Sequence, residues 1–202
     1  MIRRFGEAAL LVDLASAAQA QALAVSLRDD PPAGMIEAVP GQESLLVELD
    51  PLTADAEGVA RLIERRLGDL PERPPNGRLH TIQITYGGPD LEDVAQLTGL
   101  APSEVIARHA AAELRVLFCG FAPGFAYLGE LPPELRVARL ATPRTRTPPG
   151  SVAIAGSMSA IYPADLPGGW RIIGRAKVVL FDPHGDRPAL LEPGDRVRFE
   201  PA

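Results

Sequence analysis

Apolar and polar positions follow two different periods along the first third of the chain. Residues 8–13 (Ala-Ala-Leu-Leu-Val-Asp) read as a strand. From Ser16 the period changes. Ala20, Leu23, Ala24 and Leu27 recur at i, i+3, i+4 and i+7, which predicts a helix to about Arg28 with Ser16 as its cap and Pro31-Pro32 as its stop. Residues 34–40 and 44–50 read as two strands joined at Pro40-Gly41. A second helix is predicted over about 55–67, with Ala56, Val59, Ala60, Ile63 and Leu67 as its apolar stripe. Gly68 and Pro71 end it, and Pro74-Pro75-Asn76-Gly77 reads as a loop. Residues 80–85 alternate again, with Ile82 and Ile84 on one face. The order β-α-β-β-α-β predicts an N-terminal ferredoxin-like domain over 1–86, with helices on one face of an antiparallel sheet.

Tyr86-Gly87-Gly88-Pro89 marks the expected boundary. Two helices are predicted next, one from Asp90 and one from Ala101-Pro102-Ser103 with Ser103 as cap. From Leu114 no helical period recurs. Short apolar runs at 114–119, 151–155, 171–174, 177–181, 188–191 and 195–199 alternate with Gly/Pro turns, which predicts a closed or nearly closed β barrel over 87–202. The fold class is therefore α+β.

Composition narrows the function. The single cysteine, Cys119, excludes an internal disulfide and a cysteine-based zinc cluster, and reads as a small buried apolar side chain. A reducing, cytoplasmic setting is expected. The N-terminus lacks the apolar run of a signal peptide, and no run of about 18 apolar residues predicts a membrane span. A net charge of -6 argues against a nucleic-acid partner. There is no P-loop, no GxGxxG, no GxSxG elbow, and no pair with metal spacing among His80, His109 and His184.

Charge and loop content are both concentrated late in the chain. Residues 119–174 carry eight glycines and eight prolines. Between Arg136 and Lys177 there are seven basic residues and one acid, Asp165. Arg144 and Arg146, two apart in an extended segment, point to one side, and two guanidinium forks suit a carboxylate or phosphate. The competing account is a solvated edge, or ion pairs with the acidic remainder. Phe121, Phe125, Tyr127 and Tyr162 are either a pocket lining or core, and Trp170 either stacks on a planar ligand or plugs the barrel. Gly156 allows close approach of a ligand or only a turn. Lys177, the sole lysine, is the one possible lysine catalyst.

Three stretches carry a resemblance: Gly120-Phe-Ala-Pro-Gly-Phe-Ala-Tyr-Leu-Gly, Pro143-Arg-Thr-Arg-Thr-Pro-Pro-Gly-Ser-Val-Ala-Ile-Ala-Gly, and Ile161-Tyr-Pro with Pro167-Gly-Gly-Trp-Arg-Ile-Ile-Gly-Arg. In this order they resemble the family of the 5-oxoprolinase B subunit, also called allophanate hydrolase subunit 1, which includes Kip-type kinase inhibitors. His109, twelve residues before Phe121, matches the family spacing. The chain departs from the family at Leu114, usually Tyr, at Ala160, usually Gly, and at Ala176-Lys177, usually Thr-Pro.

The resemblance implies a cyclophilin-like barrel for 87–202. It implies a multi-subunit, ATP-dependent 5-oxoprolinase in which this chain acts with the C and A subunits to open 5-oxo-L-proline to L-glutamate, and is inactive alone. ATP with magnesium is implied for the complex, with no cofactor built into this chain. A chain without its partner is expected to expose a surface open to self-association. His109 is the expected proton shuttle. Arg144, Arg146, Phe121, Phe125, Tyr127, Gly156, Tyr162, Trp170 and Arg175 are the expected substrate or nucleotide contacts. Replacing Arg144 or Arg146 is expected to abolish activity. Two other activities fit the same resemblance: inhibition of a sensor histidine kinase, and action on a urea-derived amide as in allophanate hydrolase or urea carboxylase.

Overall fold

The computed structural model describes residues 1–71 and 76–202, so Pro74-Pro75 of the predicted loop lies outside the described residues. The chain divides into two units, Met1–Asn76 and Gly77–Ala202.

The first unit contains β1 (Ile2–Arg4), β2 (Ala9–Asp13), α1 (Ala17–Asp29), β3 (Met35–Pro40), β4 (Ser44–Leu49) and α2 (Ala56–Leu67). Its sheet order is β1-β2-β4-β3. β2 and β3 are both antiparallel to β4, so they run the same way with β4 between them, joined through α1. Ser16 does cap α1, its Oγ accepting from the Gln19 N–H at 3.3 Å. The predicted stripes are the buried ones. Leu23 and Leu27 of α1 and Val59 and Ile63 of α2 pack on Leu10, Val12, Leu45 and Val47. Each such side chain contributes about 1.5–3 kcal/mol on leaving water. Arg66 ties the helix ends together, donating to the Ser26 carbonyl and the Asp30 carboxylate.

The ferredoxin-like expectation needs correction at one strand. In a βαββαβ sheet the last strand takes the edge beside the first. Here β1 holds that edge, paired to β2 from Ile2↔Val12 to Arg4↔Leu10. The strand expected to close the sheet, β5 (Leu79–Tyr86), lies in the second unit, between two barrel strands. The division between units accordingly falls between Asn76 and Gly77, ahead of the expected boundary after residue 86.

The second unit continues with α3 (Leu91–Thr98), α4 (Pro102–Ala111), β6 (Glu113–Cys119), β7 (Ala126–Gly129), β8 (Arg144–Thr147), β9 (Ser151–Ala155), β10 (Met158–Ile161), β11 (Leu166–Gly168), β12 (Arg171–Ala176) and β13 (Arg196–Pro201). Seven strands close a barrel in the order β10-β7-β6-β13-β5-β12-β9, which fits the cyclophilin-like domain implied by the resemblance. β13 runs parallel to β5 and antiparallel to β6, so the last strand is inserted between two that precede it by many residues. Ile82, Ile84, Leu114, Val116, Leu128, Val152, Ile154, Ile173 and Phe199 fill the interior. The N-cap of α4 is Ala101 rather than the expected Ser103. Glu104 accepts from the Ala101 N–H at 2.8 Å, and Pro102 occupies the first turn, where no N–H is needed.

Segments 177–181 and 188–191 are not strands; a single bridge, Phe181↔Ala189, joins them. β9 is buried at all five positions because both of its faces are covered. Val152 and Ile154 point into the barrel, while Ala153 and Ala155 meet a separate cluster with Phe125, Tyr162 and Trp170. The two-stranded ribbon of β8 and β11 accompanies that outer cluster.

Candidate functional site

The expected site residues separate into three places. Phe121, Phe125, Tyr127, Tyr162 and Trp170 do come together, around a depression of about 150 Å3 that also receives Arg139. Phe125 is the hub, with ring centroids 5.0 Å from Tyr127, 5.3 Å from Tyr162 and 6.1 Å from Trp170 in edge-on geometry. Arg139 sits 5.8 Å from the Trp170 ring centroid, a cation–π distance. Burial pushes the Tyr127 and Tyr162 hydroxyls upward in pKa, so both stay neutral. Phe121 is exposed and holds a φ of 72°, which is uncommon for an aromatic residue.

Arg144 and Arg146 are not in that depression. Arg144 pairs with the buried Asp90 carboxylate at 2.5 Å and donates to the Trp170 carbonyl at 3.4 Å. The other Asp90 oxygen accepts from the Ile172 N–H at 2.7 Å, so Asp90 and Arg144 brace the start of α3 against β12. Arg146 pairs with Asp165 at 2.6 Å on the surface. The ion-pair account of these arginines is the one realised. Gly156 forms the turn between β9 and β10 at φ 56°, its N–H donating to the Val137 carbonyl, and a side chain there would meet nothing within 4 Å. It shapes a turn and lines neither depression.

His109 lies wholly buried on α4. It stacks on Phe199 of β13 at 4.8 Å and reaches Ser159 of β10 and Tyr86 of β5, strands that are not neighbours, so its ring sits within the barrel. Burial lowers its pKa from 6.5 to about 3, so the ring is neutral. The proton positions then follow from the partners. Ser159 Oγ donates to the Ala153 carbonyl at 3.2 Å and therefore accepts from His109 Nε2 at 3.1 Å. That leaves Nδ1 as acceptor, and the Tyr86 hydroxyl donates to it at 2.8 Å. Both ring nitrogens are occupied and the ring has no open side. Such a histidine fixes Tyr86 in place. It is poorly suited to the shuttle role expected of it.

Tyr86 is the residue through which this buried chain of hydrogen bonds reaches a second and larger cavity, of about 450 Å3. Its side chain turns into the barrel, while Gly87, Gly88 and Pro89 after it form one wall. Gly88 is required there, since a Cβ would stand 2.5 Å from the Ile172 carbonyl oxygen. Pro148, Ser151, Arg175 and Lys177 also line it. The sequence does not single out Tyr86, Arg139 or Ser151, although Arg139 lies in the basic segment and Ser151 in the second resemblance stretch. Tyr86 is hidden because Gly87-Gly88 reads as a boundary, although a tight Gly-Gly turn after a strand is also how a cavity wall is built.

The comparisons with known proteins agree with this architecture. Residues 1–191 match the family described as carboxyltransferase domain, subdomains C and D. The chain is 42% identical over 194 residues to the 5-oxoprolinase B subunit of Escherichia coli O157:H7, covering 94% of this chain and 88% of that protein. It is 36% identical to the 5-oxoprolinase B subunit of Bacillus subtilis (strain 168), covering 98% of this chain and 91% of that protein. The chain belongs to the 5-oxoprolinase B-subunit family. Among solved structures it is similar to TTHA0988, with a TM-score of 0.83 and 38% identity over 100% of this chain. This family member spans only 40% of the TTHA0988 chain, which is thus much longer. No helix among its described residues is long and apolar enough to cross a membrane.

Proposed function

We propose that this chain is the B subunit of a multi-subunit, ATP-dependent 5-oxoprolinase that works with the C and A subunits to open 5-oxo-L-proline to L-glutamate. The observation that carries the reading is the 42% identity to a named B subunit across 88% of that protein's length. The chain is inactive alone on this reading, acts in the cytoplasm, and contributes part of a substrate site. The donor set supports a division of labour. The larger cavity offers Arg175 and Lys177 but no carboxylate among its lining residues. Among the described residues no three His, Cys, Asp or Glu side chains gather where they could hold a metal ion. These residues do not fit a magnesium nucleotide, and no step through ATP is derived on this chain. Its own residues hold and orient: His109 and Ser159 fix Tyr86, the Ile173 carbonyl holds the Gly87 and Gly88 N–H groups, and Asp90 with Arg144 fixes the adjoining start of α3.

The test is reconstitution. The chain is co-purified with the C and A subunits, and ATP hydrolysis and glutamate release are followed with and without 5-oxo-L-proline. The reading expects both to depend on 5-oxo-L-proline and on the presence of this chain. An assembled complex whose ATP hydrolysis ignores 5-oxo-L-proline overturns it.

A further inference from the structure

We propose that Arg175, Lys177 and Ser151 form a carboxylate-binding site in the 450 Å3 cavity beside β5 and β12, taking a small organic acid with a compact apolar body. The proposal deepens the 5-oxoprolinase reading and rests on it only for the choice of 5-oxo-L-proline as one probe.

Cross-strand register makes the site. Arg175 stands opposite Thr85 on β5 and opposite Ser151 on β9. Residues directly opposite in antiparallel strands point to the same face, so the three form a row across three strands. Lys177 follows two residues after Arg175 and lines the same cavity. It also borders two further depressions, one beside Gly150 and one beside His80.

What sets these two cations apart is that both lack an ion-pair partner among the described residues and both line one cavity. Nine arginines of the described residues are paired to Asp or Glu. Arg175 and Lys177 have no carboxylate partner among the described residues, although the protein carries 26 acids against 20 bases. The acid nearest the cavity wall in sequence, Asp90, is already held by Arg144 and the Ile172 N–H. Ser151 is 5% exposed and lines the same cavity. Two cations without a carboxylate partner and a serine lining one cavity are complementary to an anion that brings its own oxygens. The rest of the lining, with Pro89, Pro148 and Ile172, suits an apolar body. A carboxylate on a small ring meets both requirements, whereas free phosphate offers no apolar part.

Three probes separate the contributions, with binding to the full chain followed by amide shifts of Gly87, Gly88 and Lys177. Cyclopentanecarboxylate carries the acid without the lactam, 2-pyrrolidinone carries the lactam without the acid, and 5-oxo-L-proline carries both. The two acids are expected to bind and shift those amides, and 2-pyrrolidinone is not. Arg175→Met and Lys177→Met, both at exposed side chains, are expected to weaken the acids by roughly ten- to hundred-fold each. Unchanged affinity in the double variant overturns the site. So does equal binding of 2-pyrrolidinone, or of inorganic phosphate, or shifts confined to the Trp170 indole. If the reconstituted complex ignores 5-oxo-L-proline while cyclopentanecarboxylate still binds wild type and not the double variant, the carboxylate site stands and the 5-oxoprolinase reading falls.

Discussion

Tyr86 gives its hydroxyl hydrogen to Nδ1 of His109 across 2.8 Å, and this one contact joins the barrel interior to the wall of the larger cavity. It holds only while His109 is neutral. In the fold the ring titrates at about 3, against 6.5 when exposed. Between those values the unfolded chain binds a proton that the fold refuses. The neutral ring's contribution is therefore complete above about pH 6.5 and is lost progressively as pH falls towards 3, at up to ~1.4 kcal/mol per pH unit. His109→Gln removes the titration. Urea midpoints measured from about pH 7 to 4 are expected to fall more steeply for wild type than for H109Q, and parallel curves would show that His109 already accepts the proton in the fold.

Tyr86→Phe keeps the ring edge that meets His109 and removes only the donor. Nδ1 is then left buried without a partner. The expected loss is about 1–3 kcal/mol by urea unfolding at neutral pH. Affinity for cyclopentanecarboxylate is expected to fall only slightly, because the strand end ahead of the Gly87-Gly88 wall loses one restraint while the Ile173 carbonyl still holds both glycine N–H groups. A variant as stable as wild type would mean that water or a shifted side chain replaces the hydroxyl.

Arg144 and Arg146, equivalent by spacing, are expected to behave differently when replaced. Asp90 is nearly inaccessible, and Arg144→Ala leaves its carboxylate facing only the Ile172 N–H. A loss of about 2–3 kcal/mol is expected, less than the ~3–5 of a fully enclosed pair because Arg144 is partly exposed. Arg146→Ala breaks a solvent-exposed pair with Asp165 and is expected to leave the thermal midpoint unchanged. Both variants are expected to keep carboxylate binding, and thermal melts with the cyclopentanecarboxylate titration check the whole set.

What the sequence carried and what it did not can be seen at these same residues. The Ser16 cap of α1 and the apolar stripes of α1 and α2 were legible because helical periodicity and a capping serine are local signals. Ile82 and Ile84 marked β5 as a strand, but alternation is satisfied equally by a sheet edge and by a barrel wall. Its partners β12 and β13 come far later in the chain, so its unit could not be read locally. β1 is too short and too charged to announce itself. The aromatic cluster was legible as a set, since Phe121, Phe125, Tyr127, Tyr162 and Trp170 do meet. The arginines misled because their acids, Asp90 above all, lie on a different element. The same limit hid the carboxylate site, whose row Thr85–Arg175–Ser151 exists only through register.

Gly168→Ala tests whether the aromatic depression is separate from the cavity. A Cβ at Gly168 would collide with the Tyr162 hydroxyl, whose ring packs on Phe125. Tyr162 must shift or the β8–β11 ribbon must lift, at about 1–3 kcal/mol. Trp170, the only tryptophan, reports the change through its fluorescence. Affinity for cyclopentanecarboxylate is expected to stay at the wild-type value, and a parallel loss would show that the two concave surfaces act as one.

Cys119 ends β6 half-buried, its thiol 3.6 Å from the Leu191 carbonyl oxygen. Burial pushes the thiol up from 9.0 to about 11, with the negative charges of Asp195 and Glu192 adding to the shift. Alkylation requires the thiolate, so a raised pKa slows it at neutral pH. The rate of reaction with iodoacetamide is expected to rise with pH to a midpoint near 11 in the folded protein, and to a midpoint near 9 in urea. Glu192→Gln removes one of the two charges at an exposed residue, and is expected to lower the folded midpoint without removing the larger effect of burial. A folded midpoint near 9 in wild type would show that the thiol is open to water and that Cys119 is a reactive group at the barrel rim.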